Sequence, residues 1–455
     1  MIKKRVLLLR SGSSKEQEGT HPRSCCLPWT LKYIQSLLRR KNIPVKFFDL
    51  RVKQYMDDEV LSLISEYDPT YIVIQVNSLE YSDCERILKK IRRFPQYEVI
   101  LVGQYPTYCG NFFGKEVFFK GESELAVTEY ITTGNKGIID RSKLNIVDNL
   151  TELPFPHYQN QELSSYYYHY PLKIWKKVIW GSLLATRGCP HNCIFCTQIL
   201  RESYGKKVRF REVENVIKEI EYLKSLGANV ISFEDDSLVF SRQYTESICE
   251  HMIRENIRLP WICQARVDEL DFEFLQKMKQ AGCILIRLGV ESGSPRVLEL
   301  IKKTDKGQDW INRSQEVFSW TRRLGIATDA MFIIGSPTET EREIEMSMKL
   351  ARDLQPDMLQ VCIFTPYPGA PAYQEYKESL PSSSSSVLYH YGDNLVNLSK
   401  VSNDKLMKLQ KKFYRHVIFR LDFLLRHALN YTGFYFLNYK RMAKVLNLRN
   451  FLNFN

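Results

Sequence analysis

The stretch TRGCPHNCIFCTQ, residues 186–198, places Cys189, Cys193 and Cys196 within eight residues. Thiolates are soft metal ligands, and three on one short loop imply metal chemistry. Four would close a structural zinc site or complete the ligation of an iron–sulfur cluster. Three leave one position of the metal centre open. The nearest other cysteine is Cys249. His191, between the first two cysteines, offers a nitrogen to zinc, but the spacing CxxxCxxC differs from the paired CxxC knuckles of zinc ribbons. Three cysteines of a buried core are the structural alternative. Gly188 and Pro190 flank the first of them and mark a turn-prone loop, which speaks against it.

Such a loop needs a frame to hold it. Around and after it come short apolar runs that read as buried parallel strands: LLAT (183–186), VISFED (230–235), WICQAR (261–266), LIRLGVE (285–291), DAMFIIG (329–335) and LQVCIF (359–364). Helical patterns lie between them near 213–225, 242–254, 271–281, 295–301, 311–324 and 340–354. Six βα units in succession predict a barrel or partial barrel over 181–380, with its chemistry at the carboxyl ends of the strands. The three cysteines follow the first strand, on that face.

An earlier series fills residues 1–135. RVLLLR (5–10), PVKFFDL (44–50), YIVIQV (71–76) and EVILVG (98–103) read as strands, with helices over 31–39, 60–67, 84–94 and 122–131 and an apolar segment EVFFKG before the last. The alternation predicts a doubly wound α/β domain with ligands at the strand ends. Residues 136–180 are Pro- and Tyr-rich, as in LPFPHY and SSYYYHYP, and read as a linker. Beyond it, PSSSSS (381–386) reads as a flexible connector. The rest of the 381–455 region is helical and basic. Phe413, Val417, Leu421, Leu424 and Ala428 form one apolar stripe, with Lys408, Lys411, Lys412 and Arg415 largely off it.

Of the net charge of +12, residues 400–455 carry +10, from 12 Lys/Arg against 2 Asp/Glu. The body is nearly neutral, which argues against nucleic-acid binding over the whole surface. The apolar run Val6–Leu9 is too short for a signal peptide, and nothing is long enough to span a bilayer. A cytoplasmic location is expected, and there eleven cysteines point to metal or redox chemistry before disulfides.

Over roughly residues 1–380 the chain resembles the radical SAM superfamily, and within it the class with a cobalamin-binding domain. The motif CxxxCxxC carries an aromatic residue, Phe195, before its last cysteine, as is common in that family. The strand-end segments FEDDS (233–237), RVDEL (266–270), LGVESGS (288–294), FIIGSPTET (332–340) and TPYPGAP (365–371) follow in the family's order. The resemblance implies a 4Fe–4S cluster on the three cysteines. Its open iron is chelated by S-adenosylmethionine, which one electron cleaves to a 5′-deoxyadenosyl radical. It implies an electron donor of flavodoxin or ferredoxin type. It implies that Glu234, Asp235 or Asp236 receives the methionine ammonium, although FEDDS departs from the usual Gly-Gly-Glu. A helix N-cap is the structural alternative for these carboxylates. Arg266 would pair with the methionine carboxylate, or else with Asp268. Glu291 and Ser292 would bond the ribose, and Gly335 would let backbone approach the adenine.

The N-terminal domain is similar to cobalamin-binding domains in strand order and in VGQYPT (102–107) and GESEL (121–125). Gly103, Gln104 and Thr107 are its implied cobalamin contacts, with Gln104 standing where a second Gly is usual. The motif that supplies a lower axial His is absent; His21 lies in the corresponding loop, where a solvated side chain is the plain alternative. The family's usual reaction would then be methylation of an unactivated carbon in a small-molecule or lipid substrate. A cyclase or oxidoreductase without methyl transfer is the second reading. A methylthiotransferase, with Cys25, Cys84 and Cys109 as ligands of a second cluster, and a non-enzymatic iron–sulfur sensor are the others. The basic tail suits a peripheral contact with anionic membrane, a lid or a partner site, against the plainer reading of a helix packed on the body.

Overall fold

A computed structural model describes residues 4–12, 25–53, 55, 57–77, 80–109, 116–140, 142–159, 162–168, 170–197, 207–379 and 396–438. The first domain runs β1 (Val6–Arg10), α1 (Trp29–Arg40), β2 (Val45–Asp49), α2 (Asp57–Tyr67), β3 (Tyr71–Gln75), α3 (Tyr81–Ile91), β4 (Glu98–Val102), α4 (Gln104–Cys109), β5 (Val117–Phe118), β6 (Lys120–Gly121) and α5 (Glu124–Thr133). Five of these strands form a parallel sheet in the order β2-β1-β3-β4-β5. Side chains alternate across it. Leu7, Leu9, Ile72 and Ile74 pack toward α2 and α3, and Val6, Leu8, Tyr71 and Val73 toward α1 and α5. A strand buried on both faces reads as a continuous apolar run, which is why these strands were legible. The strand order reverses between β1 and β3, where doubly wound sheets open a ligand crevice. The segment EVFFKG holds the fifth strand, too short at two residues to show a period.

The connection to the second domain is not a loose linker. β7 (Leu144–Asn145) pairs with β6, Tyr158, Leu163 and Tyr166 are buried in the main core, and Cys25 and Tyr167 form a bridge. Tyr and Pro fill space without helical or strand periodicity, so composition alone reads as irregular.

The second domain runs β8 (Trp180–Leu183), β9 (Thr186–Arg187), β10 (Arg209–Phe210), α6 (Val213–Ser225), β11 (Val230–Phe233), α7 (Arg242–Arg254), β12 (Trp261–Ala265), α8 (Phe272–Gln280), β13 (Cys283–Glu291), α9 (Pro295–Leu300), α10 (Gly307–Leu324), β14 (Ala327–Ile334), α11 (Glu341–Leu354), β15 (Met358–Ile363) and α12 (Pro371–Glu375). Six strands pair in parallel in the order β8-β11-β12-β13-β14-β15, with β8 and β15 at the edges. The fold is therefore a partial (β/α)6 barrel. Its first strand lies about one turn of chain earlier than the run LLAT. That run is split between the end of β8 and the two-residue β9, which turns away to pair with β10. Apolarity marked the burial of these residues but not the bend.

The barrel base is closed by apolar residues at the strand starts, Trp180, Val230, Ile262, Leu285 and Ala327. Tyr168, Leu172 and Val178 of the connecting segment and Phe434 of the last helix seal it. After the stretch holding the Ser-rich run, which lies outside the described residues, come α13 (Asn403–Ile418) and α14 (Leu421–Leu437). The apolar stripe expected through both is interrupted. Phe413 and Val417 are buried, but Leu421, Leu424 and Ala428 are exposed. The chain leaves helical geometry at Phe419–Arg420, which resets the phase, and α14 buries Phe423, Tyr431 and Phe434 instead. No helix among the described residues is long and apolar enough to cross a membrane.

Candidate active site

Asp235 sets the start of the cysteine loop. Its carboxylate accepts the Ala185 N–H at 3.3 Å and both the N–H and hydroxyl of Thr186, the latter at 2.6 Å. These bonds hold the bend between β8 and β9. Gly188 then takes φ +105, open to glycine, and turns the chain into Cys189. Ile194 anchors the loop: it is buried against Val297, Ile301, Phe364 and Ala372, donates its N–H to Ile301 O at 3.0 Å and accepts from Ala372 at 3.1 Å. The thiols on either side of it are left facing inward.

Arg187, next to the loop, ties it to the first domain. It reaches Glu122 at 3.2 Å and Glu124 at 3.1 Å and lies over the Tyr33 ring. Arg209 meets Glu122 at 2.6 and 2.9 Å. The GESEL segment is thus a clamp between the domains as well as a turn in the first.

Cys189, Cys193 and Cys196 line one cavity of about 410 Å³, within the range of small-molecule sites. Phe195, Asp236, Arg266 and Glu291 line it too. Among the described residues no three His, Cys, Asp or Glu donors gather round a single ion, so the loop is not a preformed mononuclear zinc site. His191 is engaged elsewhere: its Nε2 lies 3.4 Å from Glu269 and its ring packs on Phe240. Among the described residues the donor set is three thiols with no fourth ligand, on a loop anchored at its centre by Ile194, which fits a cluster with one open iron.

The other expected residues divide. Asp236 faces the cavity, and among the described residues its carboxylate has no hydrogen-bond partner. Burial, and then Asp235, push its pKa up to about 7. Burial raises Asp235 to about 6 against the pull of its three bonds. Neither is the N-cap of the next α-helix, a role taken by Ser241, which accepts from Tyr244 N–H. Arg266 makes a two-pronged pair with Asp268 at 3.0 and 2.8 Å and donates to Lys303 O, leaving Nη1 unused among the described residues. Glu291 sits at φ +69, a costly backbone for a non-glycine residue. Lys303 holds it at 2.9 Å, and both side chains are buried. Burial acts against the Lys303 ammonium, but Glu291 and Cys193 keep its pKa above the ordinary lysine value.

Glu234, Ser292 and Gly335 do not line the cavity. Glu234 accepts from Ser232 and acts electrostatically on Tyr168, Arg287 and Cys26 below it. The Ser292 hydroxyl is taken by Ser347 Oγ at 3.2 Å and Ser294 N–H at 3.1 Å. Gly335 has φ +78, and a Cβ there would meet Leu406 of α13 at 2.8 Å. In the first domain, Gly103 (φ +102) leads into α4, Gln104 is half-buried, and the Thr107 hydroxyl donates to Gly103 O at 2.7 Å and accepts from Gly121 N–H at 3.1 Å. Thr107 therefore ties the turn after β4 to GESEL. Cys84 and Cys109 share one core of that domain while Cys25 belongs to another, so the three do not form a ligand group.

Several lining residues went unread in the sequence: Gln264, Arg287, Lys303, Gln360 and Cys362. Register places Gln264 beside Arg287 and Arg287 beside Asp329, and the Arg287 guanidinium lies 4.8 Å from the Tyr170 ring centroid. A polar residue in the middle of an apolar strand run was the available signal, because a parallel strand is otherwise apolar on both faces.

Residues 183–351 match the family described as the Radical SAM superfamily. The protein carries a radical SAM domain and is a radical SAM enzyme, a class whose domain implies a 4Fe–4S cluster and S-adenosylmethionine. It is similar to an uncharacterised methyltransferase of Pyrococcus horikoshii, 26% identical over 90% of this chain and 91% of that one. It is also similar to the anaerobic magnesium-protoporphyrin IX monomethyl ester cyclase of Rubrivivax gelatinosus, 24% identical over 73% of this chain and 62% of that one. Among solved structures it shares the fold of the radical S-adenosylmethionine methyltransferase TsrM of Kitasatospora setae with cobalamin and a [4Fe-4S] cluster bound, with TM-score 0.66 and 16% identity over 83% of this chain and 78% of that one.

Proposed function

We propose that the protein methylates an unactivated carbon, using S-adenosylmethionine at the cysteine cavity and a cobalamin at the carboxyl edge of the first sheet. One observation carries the reading: the three thiols face a cavity at the strand ends of one parallel sheet, and the carboxyl edge of a second parallel sheet packs against that same end. Gly369, in the loop after β15, lies so close to the Tyr108 ring of α4 that a Cβ would meet it at 2.6 Å. The first sheet fits a polar ligand at its crevice. At the ends of β1 and β3, the Ser11 hydroxyl and the Gln75 amide oxygen are buried without a hydrogen-bond partner among the described residues. The methyltransferase name of the P. horikoshii relative and the cobalamin in TsrM support the same reading.

In this proposal Cys189, Cys193 and Cys196 hold the cluster. Asp236 receives the methionine ammonium, the free Nη1 of Arg266 meets its carboxylate, and Glu291, held by Lys303, accepts from the ribose. Phe195 and Phe240 exclude water from the cavity. Asp235, Ser292 and Gly335 shape the frame behind them. Bound together, the groups supply one-electron cleavage of a sulfonium and a transferable methyl. The electron comes from a flavodoxin- or ferredoxin-type donor, and the substrate is a small molecule or lipid. The cyclase name of the R. gelatinosus relative favours a second reading, radical chemistry without methyl transfer.

The test is anaerobic purification with iron, sulfide and hydroxocobalamin, followed by metal counts and product analysis with S-adenosylmethionine and a reductant. About four irons per chain with bound cobalt, and release of both 5′-deoxyadenosine and S-adenosylhomocysteine, support methyl transfer. Iron without cobalt and without S-adenosylhomocysteine moves the assignment to the second reading. Loss of iron binding on Cys193→Ala is expected; an unchanged iron count in that variant overturns the site.

A further inference from the structure

The last described helix carries an apolar face that the other described residues do not cover. Leu421, Leu425, Leu429 and Phe436 recur on one side of α14 and are 74%, 53%, 80% and 73% exposed. The opposite side, with Phe423, Tyr431 and Phe434, is the one that packs on the barrel. Four large apolar side chains on one exposed stripe exceed the scatter of single apolar residues normal on a protein surface.

A second element reaches the same face from far away in sequence. The segment before β8 runs beside the end of α14: Val178 N–H donates to Asn438 Oδ1 at 3.2 Å, and Asn438 Nδ2 donates to Lys176 O at 3.3 Å. Trp175 lies against Gly433, so close that a Cβ on Gly433 would overlap its ring, yet Trp175 is 71% exposed. Lys173, Lys176 and Lys177 are exposed around it. At the other end, Lys411, Lys412 and Arg415 are exposed on the last turns of α13. Within α14 the sole acid is Asp422, paired with Arg420.

We propose that this face docks on the surface of an anionic phospholipid bilayer. The leucines and Phe436 enter the acyl boundary, Trp175 sits at headgroup level, and the surrounding lysines and arginines meet lipid phosphates. The charge decides between occupants. A second copy of the chain would bring one cationic rim against another. Residues 439–455 of this chain contain four Lys/Arg and no Asp or Glu, so they too are of like charge. An anionic lipid surface complements both the apolar stripe and the rim. The face lies at the barrel base, where the strands begin, opposite the cysteine cavity. Docking therefore leaves the cavity mouth and the first domain open to the aqueous side. The proposal does not depend on what the site catalyses.

The experiment is flotation of the full-length protein with phosphatidylcholine vesicles and with phosphatidylcholine/phosphatidylglycerol vesicles, at low and high salt. The variants are Leu425→Glu, Leu429→Glu and Trp175→Ala, each checked for unchanged circular dichroism and iron content. Binding is expected only to the anionic vesicles, weakened by salt, and reduced about tenfold for each leucine replaced. In the bound wild type, tryptophan emission shifts to the blue, and Trp175→Ala loses that shift. Absence of binding to anionic vesicles at low salt overturns the proposal, as does binding that all three variants retain. A dimer in lipid-free solution that Leu429→Glu disperses also overturns it, and assigns the face to a second copy.

Discussion

The substitution Glu122→Ala tests whether the first domain holds the cysteine loop in place. Glu122 exposes none of its side chain, Arg187 2% and Arg209 11%. The change removes three charge-assisted bonds, one to Arg187 at 3.2 Å and two to Arg209 at 2.6 and 2.9 Å, and a bond from Val147 N–H. Removing one partner of a buried ion pair costs about 3–5 kcal/mol, because the other charge stays buried without compensation. Arg187 keeps Glu124 at 3.1 Å, and Arg209 has some access to water. Both place the cost near the lower limit, about 3 kcal/mol. At about 2–4 °C per kcal/mol, the midpoint of thermal unfolding should fall by roughly 6–12 °C. Fluorescence-monitored melting of the apo-protein reads this directly. Adding Arg209→Ala should recover part of the loss, since it removes the cation that faced Glu122; the double-mutant cycle measures the coupling. Iron retention after dialysis should fall with Glu122→Ala and partly return in the double variant, because Arg187 sits next to the loop. A midpoint shift under about 2 °C, or a double variant as unstable as the sum of the singles, would refute the clamp.

Lys303→Met should strand Glu291 in the cavity, lower the S-adenosylmethionine affinity of the iron-loaded protein by about tenfold, and be partly rescued by Lys303→Arg; titration calorimetry reads the difference. Glu339 accepts the N–H groups of Gly335 and Ser336 at 2.6 and 3.0 Å, yet burial raises its pKa from 4.5 to about 8. The folded chain keeps a proton that the unfolded chain releases between those values, so stability falls as pH rises across the window. Glu339→Gln should remove that slope, and urea unfolding at several pH values would expose an unchanged one. Asp235→Ala should unfasten the bend before Cys189 and lower iron content after reconstitution, whereas Asp235→Asn, which keeps an acceptor oxygen, should retain more of it.

The elements of both domains were legible because buried parallel strands are largely apolar runs, and the helices between them are amphipathic. α6 and α7 begin and end where their periodicity does, β13 differs from expectation only at its start, and β14 by two residues at its start and one at its end. The spacing of Cys189, Cys193 and Cys196 was legible for a different reason. Ligands on one short loop are neighbours in sequence and in space, so a string of letters records the geometry. β5 escaped notice because two residues have no period, and the split of LLAT did so because apolarity carries no direction.

By itself, then, the sequence determined the class of chemistry, through three thiols and an open fourth position, and the succession of parallel strands that frames it. The tertiary structure decided the rest, because the deciding contacts join residues far apart in the chain. It turned Asp235 into a brace for Thr186 and left Asp236 as the unpartnered carboxylate. It gave Arg266 to Asp268, and it set Lys303 against Glu291. It showed the supposed linker closing the barrel base with Phe434, and it split the apolar stripe, burying Phe413 and Val417 and leaving Leu421, Leu424 and Ala428 exposed beside Leu425 and Leu429. A break of one or two residues at Phe419–Arg420 rotates everything after it, and only the packing of α14 on the barrel selects which side is buried.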